Sequence, residues 1–252
     1  MSENHLETAE SVLYGRGVFT TIAIRGGQPF LWEKHWRRLT TNAQQLSIDI
    51  STYPEDLVRD QLVRSVEHDG LKEGRTRITF ADESSSKVWN SAGERKCRLS
   101  IITAKRRPIP EHFKLTVSPH HVNTTSPLVG IKSCNYLEHL MAFGETRSRG
   151  FDEAVRLNER GEVACACMAN VFWSRGGKLF TPSLKTGCLA GTTREFVMEN
   201  LACAEVEVRL DELNEADQIF LTSAGLGIVT VAEFERHTLL TARHPIMDLG
   251  PK

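Results

Sequence analysis

The sequence has almost no net charge. Its 252 residues include 31 Lys and Arg against 32 Asp and Glu, which gives a formal charge of -1. A protein that holds nucleic acid through phosphate contacts carries a basic surface, so this balance argues against nucleic acid as a partner. Hydrophobic residues make up 40% and charged residues 25%, which are ordinary proportions for a globular chain.

Long apolar runs and a targeting segment are also missing. No run approaches the ~20 apolar residues that a membrane helix needs. The first residues, MSENHLETAES, lack the basic and apolar regions of a secretory signal. We therefore expect no membrane anchor and a cytoplasmic location.

Cysteine pairs with metal or redox spacing are absent as well. The sequence has six cysteines: Cys97, Cys134, Cys165, Cys167, Cys188 and Cys203. None forms a C-x-x-C pair, and the lone C-x-C of Cys165 and Cys167 is weak evidence for a metal. In an extended strand these two thiols would share one face. Buried thiols in a reducing compartment are the simpler interpretation, and we expect no metal site.

The spacing of the apolar residues predicts alternating strands and helices. Val18–Ile24 is β-branched and aromatic and is followed by Arg-Gly-Gly-Gln, which predicts a hairpin. From Trp32 onward, apolar residues recur every three or four positions, which predicts a helix. A second helix is predicted next, with Leu57, Leu62 and Val66 on its apolar side.

The later segments predict an α+β protein with two lobes. The Ser-rich segment Asp82–Lys96 is predicted to be an exposed loop. Residues 119–130 are turn-rich and lack periodicity, so they are taken as the connector between a smaller N-terminal lobe, 1–118, and a larger C-terminal lobe, 131–252. A helix is predicted over Ser133–Gly150, and one strand over the segment EVACACMANVFW. A ligand site is expected in the crevice between the lobes.

Three features together suggest a cofactor. Lys132 lies beside the predicted lobe junction, although a solvated lysine at a helix edge is the simpler interpretation. Thr192 and Thr193 in LAGTTRE open a helix whose N-terminus can cradle an anion, or they merely cap it. Arg38 in HWRRL can reach a phosphate or only solvate its helix. An amine, an arginine and an anion cradle suggest pyridoxal 5'-phosphate, whose aldehyde would take the amine and whose phosphate would take the other two.

Six motifs then carry a resemblance over nearly the whole chain. In order they are YGRGVFTTI, HWRRL, GIKSCNYLEHLMA, LNERGEVACACMANVFW, LFTPSLKTGCLAGTTRE and DQIFLTSAG. With these motifs the chain resembles the fold-type IV pyridoxal-phosphate enzymes, which include branched-chain aminotransferases, D-amino-acid aminotransferases and 4-amino-4-deoxychorismate lyases. The resemblance implies a fold like that of D-amino-acid aminotransferase, with the cofactor between the lobes. It also implies a homodimer that acts on a small-molecule substrate.

The resemblance also implies roles for particular residues. Lys132 would bind the cofactor covalently and move protons, and Thr21, on the strand face of Phe19, would donate a proton to departing pyruvate. The other residues implied to bind the cofactor are Arg38, Tyr136, Cys165, Asn170, Thr192, Thr193, Thr222 and Ser223. Those implied to bind the substrate are Tyr14, Phe19, Arg77 and Arg107.

The chain departs from the pattern of this family in places that bear on the reaction. Cys165 stands where the family has a glutamate that faces the pyridine nitrogen, and Thr20 stands where its aminotransferases commonly have glutamate. Ala23 stands where branched-chain aminotransferases place an arginine. These departures favour a lyase that converts 4-amino-4-deoxychorismate into 4-aminobenzoate and pyruvate on the folate route. An aminotransferase for a branched-chain or D-amino acid, and a non-catalytic relative, are the alternatives.

Overall fold

The computed structural model describes residues 9–85 and 95–250 and divides them into two compact units. The first unit contains the residues up to Arg106 together with Ile131–Tyr136, and the second contains Arg107–Gly130 and the chain from Leu137 onward. This division differs from the boundary expected at 119–130, because residues 107–118 group with the second unit. Part of the loop predicted at Asp82–Lys96, residues 86–94, lies outside the described residues.

Helices and strands both occur throughout the described chain. Its α-helices are α1 (Glu10–Tyr14), α2 (Trp32–Gln45), α3 (Glu55–His68), α4 (Leu137–Ser148), α5 (Thr192–Asn200) and α6 (Leu210–Asn214). Its strands are β1 (Gly17–Arg25), β2 (Gln28–Pro29), β3 (Gly74–Asp82), β4 (Cys97–Lys105), β5 (Lys114–Val117), β6 (Glu153–Leu157), β7 (Val163–Ala166), β8 (Asn170–Arg175), β9 (Lys178–Pro182), β10 (Cys203–Val206), β11 (Gln218–Ser223), β12 (Gly227–Thr230), β13 (Glu233–Phe234) and β14 (His237–Thr238). Across these described ranges, none of the helices has the length and apolarity that a bilayer crossing needs.

An antiparallel sheet with strand order β2-β1-β3-β4 forms the centre of the first unit. One face of this sheet is apolar, carries Val18, Ile22 and Ile78, and builds a core with α2 and α3. Residues that pair directly across antiparallel strands point to the same side. The opposite side, here called the distal face, therefore carries the rows Phe19–Thr79–Ser100, Thr21–Arg77–Ile102 and Ala23–Arg75–Ala104.

The sequence predicted the first half of this unit closely, with one error. Arg25 pairs with Gln28 around a two-glycine turn whose φ angles are 55° and 78°, so the predicted hairpin is confirmed. The helix predicted from Trp32 is also confirmed as α2. The apolar side predicted for α3 is partly wrong, since Leu57 is 40% exposed. The buried residues of α3 are Val58, Leu62 and Val66, which step by four and so share one face.

The second unit contains two five-stranded sheets, with strand orders β10-β9-β8-β11-β12 and β14-β13-β5-β6-β7. Residues 107–118 belong to this unit because β5 pairs in parallel with β6. The helix predicted from Ser133 begins later, at Leu137. The single strand predicted over EVACACMANVFW is interrupted, because a turn in which Ala166 N donates to Ala169 O separates β7 from β8.

Candidate active site

Lys132 lies in a short extended segment that is bonded to the first unit through its backbone. Phe19 N donates to Lys132 O over 3.0 Å, and Lys132 N donates to Asn42 Oδ1 over 2.9 Å. The amine donates to Tyr136 Oη over 3.3 Å and lies 4.5 Å from the centre of the Phe19 ring. The lysine is thus held at the Phe19 end of the distal face, with the Tyr136 hydroxyl beside its amine.

The surroundings of this amine favour its neutral form. The pKa of Lys132 falls from 10.5 to about 7, first because the protein around the amine desolvates it, and then because Arg38 and Arg77 are positively charged neighbours. The residue as a whole keeps some accessible surface. A lysine in this state can act as a nucleophile or a base near neutral pH.

Arg38 is positioned by a buried relay that sequence reasoning missed. Its Nη2 donates to Thr20 Oγ1 over 2.9 Å, and Thr20 Oγ1 lies 2.7 Å from His35 Nδ1. Burial, followed by the charges of Arg38 and Lys132, lowers the pKa of His35 well below its usual value, so the imidazole is neutral. The signal was the spacing of His35, Arg38 and Asn42 by three and four residues, which places them on one face of α2.

Arg77 and Thr21 are the pair that continues the distal face beyond Phe19. The guanidinium carbon of Arg77 lies 3.5 Å above the Phe19 ring, and its Nε donates to Thr79 Oγ1 over 3.1 Å. Thr21 is half-buried and shares the side of Phe19, which confirms the strand face predicted for it. The structure therefore brings Lys132, Phe19, Thr21 and Arg77 together on one surface.

Two further residues predicted to bind the substrate belong to different units. Tyr14 is the half-buried last residue of α1, and the next residue, Gly15, accepts a hydrogen bond from Asn135 Nδ2 over 3.1 Å. Arg107 belongs to the second unit, where its guanidinium lies 5.4 Å from the Phe143 ring. Arg107 and Arg77 therefore do not share a unit.

The second unit contains an anion cradle at the N-terminus of α5. Asn170 Nδ2 donates to Leu189 O over 2.9 Å and so braces the loop that leads into the helix. A Cβ added at Gly191 would lie 2.0 Å from Asn170 Oδ1, so this position tolerates no side chain. Thr192 and Thr193 form the buried first turn, at the end of the helix where its dipole favours anions.

Strand β11 adds two hydroxyl groups near this cradle. Thr222 pairs with Asn170 across the sheet, and α5 packs against β11. The Thr222 hydroxyl is buried and has no hydrogen-bond partner within the described residues. Ser223 Oγ accepts from Leu226 N over 3.1 Å and keeps its proton to donate. A buried hydroxyl without a partner is costly, and a phosphate oxygen is the kind of acceptor that would satisfy it.

Cys165 is a neutral buried thiol. Burial is the largest cause that raises its pKa to about 12, and the charge of Arg156 opposes that effect. Arg156 pairs with it from β6 and donates to His120 O over 3.0 Å and to His121 O over 2.7 Å. The expectation that Cys165 and Cys167 share a strand face is wrong, because β7 ends at Ala166 and the two thiols join different apolar clusters. Both are free thiols.

The titration of Lys132 tests the electrostatics of the first unit. Competitive acetylation with acetic anhydride over a range of pH, read by mass spectrometry, is expected to give a midpoint near 7 for Lys132 in protein freed of ligands. Arg77→Gln should raise that midpoint, because it removes a positive charge that disfavours the protonated amine. Arg98→Gln removes an arginine that is paired with Glu83 at 2.6 Å and should leave the midpoint unchanged. A wild-type midpoint near ~10.4, the value of a solvated lysine, would contradict the desolvation.

The chain is similar to named lyases and aminotransferases. The aminodeoxychorismate lyase of Bacillus subtilis is 30% identical over 234 residues, which span 88% of this chain and 79% of that protein. The crystal structure of 4-amino-4-deoxychorismate lyase from Pseudomonas aeruginosa has a TM-score of 0.83 at 24% identity, over 96% of this chain and 91% of that one. A branched-chain aminotransferase from Thermoproteus uzoniensis has a TM-score of 0.86 at 26% identity, over 96% and 85%.

These likenesses confirm the α+β, fold-type IV architecture expected from the motifs. The family model for amino-transferase class IV matches residues 17–234, a span that includes β1, the Lys132 segment and the cradle at α5. The chain belongs to the class IV aminotransferase family.

Proposed function

We propose that this chain is a pyridoxal-phosphate-dependent lyase that converts 4-amino-4-deoxychorismate into 4-aminobenzoate and pyruvate. The observation that carries the proposal is the desolvated amine of Lys132, which lies beside Arg77 and Thr21 on one sheet face. The 30% identity to a named aminodeoxychorismate lyase over most of both chains supports the choice of reaction.

Each unit, taken by itself, contains residues whose chemistry fits one part of the cofactor that this reaction needs. Lys132 would bind its aldehyde carbon, and the α5 cradle of Thr192 and Thr193 would bind its phosphate. Thr222 supplies the buried hydroxyl that lacks a partner in the described chain, and Arg38 supplies a positive charge. When bound, pyridoxal phosphate takes up the electrons released as the substrate loses a proton.

The side chains of the first unit would move the protons. With a pKa near 7, Lys132 can accept the proton from the ring carbon that bears the amine. Breakage of this C–H bond supplies the electrons that form the aromatic ring as the neighbouring C–O bond breaks. The departing enolpyruvate takes a proton at carbon, which the Thr21 hydroxyl would donate.

The direct test is a product assay. The purified protein is incubated with 4-amino-4-deoxychorismate, and separately with common amino acids plus 2-oxoglutarate, and 4-aminobenzoate and glutamate are measured. We expect 4-aminobenzoate as the main product, and borohydride reduction should fix the cofactor on Lys132. Lys132→Ala should abolish both results, whereas Lys185→Ala, whose side chain is 81% exposed, should change neither. Glutamate as the main product would identify an aminotransferase instead.

The proposed role of Thr21 has a matched control on the neighbouring strand. Thr21→Val should lower turnover by ~10² to 10⁴-fold, the usual contribution of a positioned proton donor, and Thr21→Ser should restore most of it. Thr76 is buried on the core face, and its hydroxyl has no partner among the described residues, so Thr76→Val should keep wild-type turnover. Similar rates for the two valine variants would reject Thr21 as the donor.

Cys165 is proposed to favour elimination over transamination. A glutamate there would keep the cofactor's pyridine nitrogen protonated, because a negative charge stabilises a nearby positive one, whereas the neutral thiol does not. Cys165→Glu is therefore expected to raise glutamate formation relative to 4-aminobenzoate several-fold. Cys165→Gln, which has the same shape without the charge, should keep the wild-type ratio. An unchanged ratio in the glutamate variant would show that this position does not select the reaction.

We further propose that the enzyme works in the cytoplasm as a homodimer. Leu137, Leu140 and Met141 lie at helical spacing along α4 and are each more than half exposed, and an apolar stripe of this kind is stabilised by burial against a second copy. Light scattering is expected to give about twice the chain mass of 28.3 kDa, and Leu140→Glu should lower it. A monomeric wild type would refute the dimer.

A further inference from the structure

Arg75 is a half-buried arginine of the distal face. It lies between Ala23 of β1 and Ala104 of β4, which pair with it on either side. Alanine side chains are too short to cover a guanidinium. Among the described residues none forms a hydrogen bond or ion pair with the Arg75 side chain. Arg75 is therefore half-buried, positively charged and available to an external anion.

Other arginines at this end of the sheet add to the positive charge. Arg25 stacks on Phe30 at 3.3 Å. Burial is the first cause that lowers the pKa of Arg25; the carboxylate of Glu73 opposes it, and the positive charge of Arg106 adds to it. Glu73 also accepts a hydrogen bond from Gly26 N. Arg25 follows Ala23 by two residues on β1 and so shares the distal face with Arg75, and an anion bound there would be attracted by both charges.

The distance from Lys132 to Arg75 sets the length of a ligand that could contact both. Phe19 lies in contact with both Lys132 and Arg77, so Arg77 is the arginine nearer to the reactive amine. Arg75 precedes Arg77 by two residues on β3 and lies on the same face, so its backbone is ~7 Å further from Lys132. A ligand that extends from Lys132 across Arg77 meets Arg75 at its far end.

We propose that Arg75 binds a second carboxylate of the substrate and so selects a dicarboxylate over an ordinary amino acid. The inference rests on the proposed lyase function, because 4-amino-4-deoxychorismate has two carboxylates. Its enolpyruvyl carboxylate is attached beside the amine and would bind Arg77. Its ring carboxylate is opposite the amine and binds Arg75. The product 4-aminobenzoate keeps only the ring carboxylate, which makes it a probe for Arg75 alone.

The test is a binding comparison on the holoenzyme. Titration calorimetry is carried out with 4-aminobenzoate and with its neutral analogue 4-aminobenzamide. Arg75→Gln should weaken the binding of 4-aminobenzoate about 10- to 100-fold, the usual effect of losing a charged hydrogen-bond partner. The affinity for 4-aminobenzamide should stay unchanged. Arg75→Gln should also raise KM for 4-amino-4-deoxychorismate with little change in kcat. Arg98 lies on the same face but is paired with Glu83, so Arg98→Gln should change the affinity for neither ligand. Arg75→Lys should retain part of the affinity for 4-aminobenzoate.

The outcomes separate this inference from the function on which it rests. A wild type that forms 4-aminobenzoate, combined with an Arg75→Gln variant that binds it as tightly as wild type, would overturn the role of Arg75 and leave the lyase intact. Equal losses of affinity for 4-aminobenzoate and 4-aminobenzamide in Arg75→Gln would also overturn that role, because they would indicate a distorted sheet rather than a lost charge. A wild type that neither turns over 4-amino-4-deoxychorismate nor binds 4-aminobenzoate would refute the lyase and the anchor together.

Discussion

Desolvation of the Lys132 amine is the constraint on which the chemistry of the first unit depends. A flexible lysine would turn its charge toward water, but the backbone of Lys132 is bonded on one side to Phe19 and on the other to Asn42. With the backbone fixed, the side chain projects over the Phe19 ring, where two arginines oppose its protonation. The reactivity of the amine therefore comes from strand and helix residues that do not react.

The same arginines tie the proton affinity of the amine to what is bound. The charges of Arg38 and Arg77 contribute to the low pKa of Lys132. An anionic ligand that neutralises Arg77 would let that pKa rise, so the amine is most readily neutral before the ligand arrives and becomes a better proton acceptor afterwards. His35 adds no charge to this coupling, because burial lowers the pKa of its imidazole well below the usual value.

Elements whose structure depends on neighbouring residues were predicted correctly from the sequence. The two glycines after Arg25 specified the hairpin, and the apolar repeat from Trp32 specified α2. Residues 133–136 were predicted as the start of a helix, but they belong to an extended segment whose structure comes from bonds to β1, more than 100 residues earlier in the chain. Thr20 and His35 were missed for a similar reason, since their importance lies in contacts between elements. Arg75 could be placed on a face only once the strand register was known.

The first unit is discontinuous in sequence, and this has a consequence for the order in which its properties arise. After Arg106 the chain contributes 107–130 to the second unit before Ile131–Tyr136 return to the first. During synthesis β1, β3 and β4 can therefore pair while the position beside Phe19 is still empty. Only when the ribosome has added the segment that carries Lys132 does that position receive its hydrogen bonds and its amine. The sheet can thus form before the reactive amine is in place. A chain interrupted before that segment would keep Arg77 without the lysine whose pKa it lowers.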